Sequence, residues 1–147
     1  MNPIASDAAE REANRLRIRV LTGIDEEVIR TIVDRFYARI REDALLGPIF
    51  EAHVEDWGRH LPRMYAFWNS VALGAGEYDG QPMRVHMPLP IEGRHFAHWL
   101  GLFEETVREI CSPQGVDWMM ERARRIARSL EMGVTRFGLV ANPPIRS

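Results

Sequence analysis

Asp25-Glu26-Glu27-Val28-Ile29-Arg30-Thr31-Ile32-Val33-Asp34-Arg35-Phe36-Tyr37-Ala38-Arg39-Ile40 is the stretch that decides the fold. Val28, Ile29, Ile32, Val33, Phe36, Tyr37 and Ile40 recur at the helical period and define one wide apolar face. Asp25 is a natural N-cap, and Glu26 and Glu27 place negative charge in the first turn, where the helix dipole favours it. One residue on this face carries a polar head: the Tyr37 hydroxyl must find a partner in or near the core, or reach water.

Working outward, Gly47-Pro48 forces a turn, followed by Phe50 and by His53 in a charged loop. The next helix is expected to begin near His60, because Pro62 suits a first turn better than an interior. Its apolar stripe is Leu61, Met64, Phe67, Trp68 and Val71, with His60 at its edge. Gly74, Gly76, Gly80 and Pro82 then break the chain into a loop leading to His86. A third helix is expected from about Glu92 to Cys111, burying Phe96, Trp99, Leu100, Phe103, Val107 and Ile110, and Ser112-Pro113 stops it. A last helix spans roughly 115–137, with Met119, Ile126, Ala127, Leu130, Val134 and Phe137 inward. Residues 6–20 are arginine-rich and read as an exposed helix or extension. No alternating strand pattern and no repeat occurs, so the class is all-α. The expected division is an N-terminal, partly helical extension over 1–24, one domain over 25–138 and a flexible tail over 139–147.

The chain's 147 residues suffice for one buried core, and 46% hydrophobic content marks it as globular. Nineteen basic against 21 acidic residues leave no basic excess for binding nucleic acid. The single Cys111 excludes an internal disulfide and a thiolate metal cluster, and it reads as an inert buried thiol. No stretch is long and apolar enough to span a membrane, and the start lacks a signal-peptide core, so a cytoplasmic protein is expected. No carboxylate pair, nucleophile elbow or phosphate loop is present.

What remains is a set of polar groups on apolar faces. Tyr37, His60 and Trp99 come from three helices, and together they offer donors that would converge on a small polarised ligand. His86, in a loop before an aromatic-rich helix, approaches from the other side, and a neutral imidazole there suits iron within a flat apolar cofactor. Taken singly, each residue has a plainer account: Tyr37 pointing to water, His60 satisfied by backbone, Trp99 as core. His95 and His98 read as surface or rim residues, although His95 competes with His86 for iron because both flank the start of the third helix.

Phe36-Tyr37, Gly47-Pro48-Ile49-Phe50, Trp57-Gly58-Arg59-His60, Phe67-Trp68, Tyr78-Asp79-Gly80-Gln81-Pro82, His86 and Phe96-Ala97-His98-Trp99-Leu100 follow one another in an order that resembles the group III truncated haemoglobins. The resemblance covers most of residues 25–135. It implies a globin-like two-over-two helical sandwich around haem b, with His86 as the proximal iron ligand and Tyr37, His60 and Trp99 as distal, ligand-stabilising residues. Phe50 matches a phenylalanine packed on the haem face, and Met64, Phe67 and Trp68 match the pocket-lining helix. Phe36, His95 and Phe96 are placed at the cofactor, and Arg84 matches a basic position suited to a haem propionate. The expected function is reversible binding of dioxygen or another diatomic gas such as nitric oxide or carbon monoxide. The alternatives are a nitric oxide dioxygenase or peroxidase-like enzyme served by an unidentified reductase, and a non-haem helical interaction domain. A monomer or weak dimer is expected.

Overall fold

The computed structural model describes residues 3–74 and 91–141, with side chains described for 7–74 and 91–133. Within these residues the secondary structure is entirely helical: α1 (Pro3–Thr22), α2 (Glu26–Glu42), α3 (Gly47–His53), α4 (Trp57–Leu73), α5 (Gly93–Ile110) and α6 (Pro113–Ala141). None of these helices is long and apolar enough to cross a membrane.

The helix ends follow local chemistry. Asp25 accepts from the Val28 N–H at 2.9 Å and starts α2, while Gly74, at φ 67°, closes α4 in a left-handed conformation that a side chain would strain. At the end of α2, Asp43 turns the chain by accepting from the Leu45 and Leu46 N–H groups at 3.0 and 2.9 Å. Three sequence expectations need correction here. Gly47-Pro48 is the start of α3 rather than a plain turn, with proline in the first positions where its missing N–H costs nothing. His53 is the last residue of α3, its Nδ1 2.8 Å from the Ile49 carbonyl oxygen.

The third correction concerns α4, which begins at Trp57 and not near His60, because the Asp56 carboxylate accepts from the Gly58 N–H at 2.9 Å. Pro62 therefore sits inside the helix and forfeits the bond to the Gly58 carbonyl.

Four helices share one core. α2 packs against α4 and α5, and α6 packs against α5 and α4. Each of the four presents a fully buried surface: Ile29, Ile32, Val33, Phe36 and Ile40 from α2, Trp68 and Leu73 from α4, Phe103 and Val107 from α5, Met119 and Ala123 from α6. α3 packs against α2, and α1 packs on α4 and α6. Polar ties join the same helices. Arg39 of α2 reaches Thr106 at 3.1 Å and pairs with Glu109 of α5, and the Trp118 indole of α6 donates to the Ala72 carbonyl oxygen at 3.1 Å.

The α1–α6 corner depends on Gly115. A Cβ there would lie 2.9 Å from the Thr22 carbonyl oxygen and 3.0 Å from the Cys111 Cβ. The glycine lets the start of α6 approach the end of α1, where Ser112 Oγ also donates to the Thr22 carbonyl oxygen at 3.2 Å.

Candidate functional site

Tyr37 is fixed by its register on α2. It follows Phe36 on the buried face and is only 5% exposed. Helix α3 brings Phe50 within 5.9 Å of the Tyr37 ring centroid, and the first turn of α4 brings Trp57 to 5.9 Å and His60 to 5.3 Å. The His60 and Tyr37 rings meet edge to face, at 84°. His60 also meets Trp57 edge to face at 5.4 Å, three residues back on the same helix. The two polar heads that the sequence picks out thus lie side by side in an aromatic nest.

Trp57 is the member of that nest that sequence reasoning passed over as a site residue. Its ring touches Tyr37, Phe50 and His60, and Arg41 caps it with a guanidinium 4.6 Å above the ring. Its indole Nε1 is buried and has no hydrogen-bond partner among the described residues. The signal was available: Trp57 and His60 are three apart, so a helix that carries both presents them on one face.

Trp99 belongs to the neighbouring half of the same aromatic system. It stacks on Phe103 (5.6 Å, 6°) and Trp68 (6.3 Å, 18°), and it meets Phe36 edge to face at 5.4 Å. Phe36 in turn contacts Tyr37 at 5.3 Å. A continuous aromatic path therefore runs from His60 through Tyr37 and Phe36 to Trp99. Phe67 joins it through Trp68 at 5.4 Å.

Met64, Phe67, Trp99 and Leu100 are half-buried and packed against the main core, which leaves part of their apolar surface uncovered. Phe96 lies apart from the Tyr37 nest, in a smaller cluster with Ala127 and Leu130 of α6 that Trp99 also borders.

His95 is not the surface or rim residue that its sequence context suggests. It is 7% exposed, and its Nδ1 lies 3.0 Å from the Glu92 N–H, as part of a box that caps the start of α5. Accepting that bond commits the Nδ1 lone pair and leaves the proton of the neutral ring on Nε2. His98 is exposed, its Nε2 2.7 Å from an Asp43 carboxylate oxygen. Burial acts to raise the Asp43 carboxyl, but the hydrogen bonds from His98, Leu46 and Leu45 outweigh it and hold the pKa below the ordinary aspartate value. Cys111 is half-buried, and desolvation pushes its thiol pKa up, which suits an unreactive side chain. His86 and Arg84 lie outside the described residues.

This arrangement sets an imidazole and a phenol beside an indole-bearing aromatic wall, next to partly open apolar surface. Among the described residues no cluster of three or more histidine, cysteine or carboxylate side chains is placed to hold a metal by itself. Iron delivered within an organic cofactor needs no such cluster.

Comparison with known proteins agrees with this architecture. Residues 21–131 match the family model described as bacterial-like globin. Over 120 residues the chain is 32% identical to the group 3 truncated haemoglobin ctb of Campylobacter jejuni, covering 78% of this chain and 94% of that protein. A group 2 truncated haemoglobin, YjbI of Bacillus subtilis, is 27% identical over 90 residues, 60% of this chain and 68% of its own. The crystal structure of the group III truncated haemoglobin from Campylobacter jejuni superposes with a TM-score of 0.70 over 78% of this chain and 94% of that one. An all-helical fold, an aromatic nest around Tyr37 and His60, and these matches place the chain in the bacterial-like globin family, among the group III truncated haemoglobins.

Proposed function

We propose that this globin holds haem b and binds dioxygen, or another diatomic gas such as nitric oxide or carbon monoxide, with His86 as the proximal iron ligand and Tyr37, His60 and Trp99 on the distal side. The observation that carries the reading is the edge-to-face contact of Tyr37 and His60, 5.3 Å apart, at the end of an aromatic path leading to Trp99. Ligand pockets are mostly apolar with a few placed polar groups that fix orientation, and Tyr37 and His60 supply such groups within this nest.

The residues present fit the cofactor. Half-buried Met64, Phe67, Trp99 and Leu100 offer apolar surface to a flat macrocycle, and Phe50 stands beside Tyr37. The remaining histidines leave His86 as the best axial candidate. His95 spends Nδ1 on the helix cap, His98 is engaged by Asp43, and His53 is exposed on α3 with Nδ1 against the Ile49 carbonyl. Arg84, two residues before His86, offers a guanidinium for a propionate.

When bound, haem supplies an iron that takes a diatomic ligand and polarises it. The chain's own contribution is to present hydrogen-bond donors toward the negative end of that ligand and to exclude water. The Tyr37 hydroxyl is the central donor, His60 stands at the start of α4 where an imidazole can swing, and Trp99 closes the wall.

The test is the dioxygen dissociation rate of Tyr37→Phe. Loss of one such hydrogen bond costs about 1–3 kcal/mol, so dissociation is expected to accelerate by roughly ten- to hundredfold. A rate within about twofold of the parent would remove Tyr37 from the distal role.

A further inference from the structure

The family match begins at residue 21, so nearly all of α1 lies outside it, yet α1 carries the most exposed large apolar side chains of the described residues. Val20 is 76% exposed, Leu21 64% and Leu16 60%, with Leu21 on a different flank of the helix from the other two. Ile18 and Thr22 face the protein: Ile18 packs against the main core, and Thr22 is 7% exposed. On the opposite side of the helix, Ala9, Ala13, Leu16 and Val20 are all exposed. Their spacing of four, three and four residues is the seam spacing of a coiled coil.

The charges flanking that seam are ordered. Glu10 and Arg17 lie on one side and Glu12 and Arg19 on the other, all four exposed. We propose that α1 is a self-association surface: two copies of this chain pair through antiparallel α1 helices, with the Ala9, Ala13, Leu16 and Val20 seams facing each other.

Two features select a second copy in this orientation. The first is charge complementarity. An antiparallel two-fold sets Glu10 against Arg17 of the second copy and Glu12 against its Arg19, and symmetry repeats both contacts, giving four opposite-charge pairs. A parallel pair would match Glu12 with Arg17 only, giving two. The second feature is shape. The antiparallel register sets Ala9 against Val20 and Ala13 against Leu16, a small residue opposite a large one in every layer, which allows close approach of the helices.

Acidic residues early and basic residues late also suit the dipole of a lone helix. The dipole, however, explains neither an exposed apolar seam opposite the core-facing Ile18 nor the placing of the charges along both its edges. Within one copy these charges are only loosely engaged, Arg19 lying 3.8 Å from Asp25, and Arg15, off the seam, the same distance from Glu12. Four layers bury less than the roughly 1,200 Å² of a standard stable interface, so association is weak and reversible, and it depends on concentration and salt.

The experiment is sedimentation equilibrium on the full-length haem-loaded chain over micromolar to millimolar concentration, with two charge variants. Glu10→Arg/Glu12→Arg and Arg17→Glu/Arg19→Glu are each expected to shift to monomer, by at least tenfold in dissociation constant. Mixed in equal amounts they are expected to form a one-to-one heterodimer at least as tight as the parent pair. Recovery on mixing separates a docking effect from damage to α1, since a helix that fails to form is not rescued by a second defective one. Leu16→Glu is expected to be monomeric throughout.

A parent chain that stays monomeric at millimolar concentration overturns the proposal, as does a dimer that persists in Leu16→Glu, or variants that do not pair when mixed. Co-sedimentation of a monomeric parent with phosphatidylglycerol vesicles would overturn it in favour of a membrane surface.

Discussion

His60 shows how much a single residue's place in its helix matters. It lies in the first turn of α4, flanked by Trp57 and Tyr37. Helix starts tolerate rotamer changes more readily than interiors, so in the proposed distal role the imidazole would act as a gate as well as a donor. Carbon monoxide separates the roles, since it relies less on hydrogen bonding than dioxygen does. His60→Ala is expected to raise its association rate, measured by flash photolysis, and unchanged association of both gases would remove the gate.

Asp43 is an equally local matter. Its carboxylate holds two backbone N–H groups and His98, so Asp43→Ala should cost about 1–3 kcal/mol in urea unfolding at pH 7. Because the folded pKa lies below the ordinary value of 3.8, this stability is fully present above that value and is lost as the pH falls through the folded one. The gap between parent and variant should therefore narrow below about pH 4. At this scale the sequence was partly legible. Apolar periodicity revealed Tyr37 because a hydroxyl on a buried face stands out. The sequence context of His95 suggests the surface because the capping bond that holds its ring against the Glu92 N–H leaves no mark on periodicity.

At the scale of elements, the corner where α1 meets α6 makes the sharpest prediction. The Cβ of Gly115→Ala would lie 2.9 Å from the backbone oxygen of Thr22, and backbone cannot yield as a flexible side chain does. A loss of about 1–3 kcal/mol is expected in thermal or urea unfolding, and a variant as stable as the parent would show that the corner has slack. Helix α2 and the bounds of α5 could be read from caps and periodicity alone: Asp25 and the Ser112-Pro113 stop sit where the chain demands them. The start of α4 could not. Pro62 argued for a late beginning, but the Asp56 cap and the packing of Trp57 on Tyr37 and Phe50 outweigh one missing backbone bond. That competition is tertiary, and it also hid Trp57 from the list of site residues.

For the molecule as a whole, α2, α4, α5 and α6 each carry one broad apolar stripe, and the four stripes bury one another in a single core. The aromatic path from His60 to Trp99 draws on α4, α2 and α5, so the proposed distal side is built by the fold and not by one element. The proximal side, in the proposed reading, rests on His86. Absorption spectroscopy of haem-reconstituted His86→Gly, with and without added imidazole, tests that assignment directly. The expected result is loss of stable haem retention and of the parent ferrous spectrum, with recovery when imidazole enters the space left by the side chain. A His86→Gly protein that keeps the parent ferrous spectrum without imidazole, while His95→Ala loses it, would contradict the account.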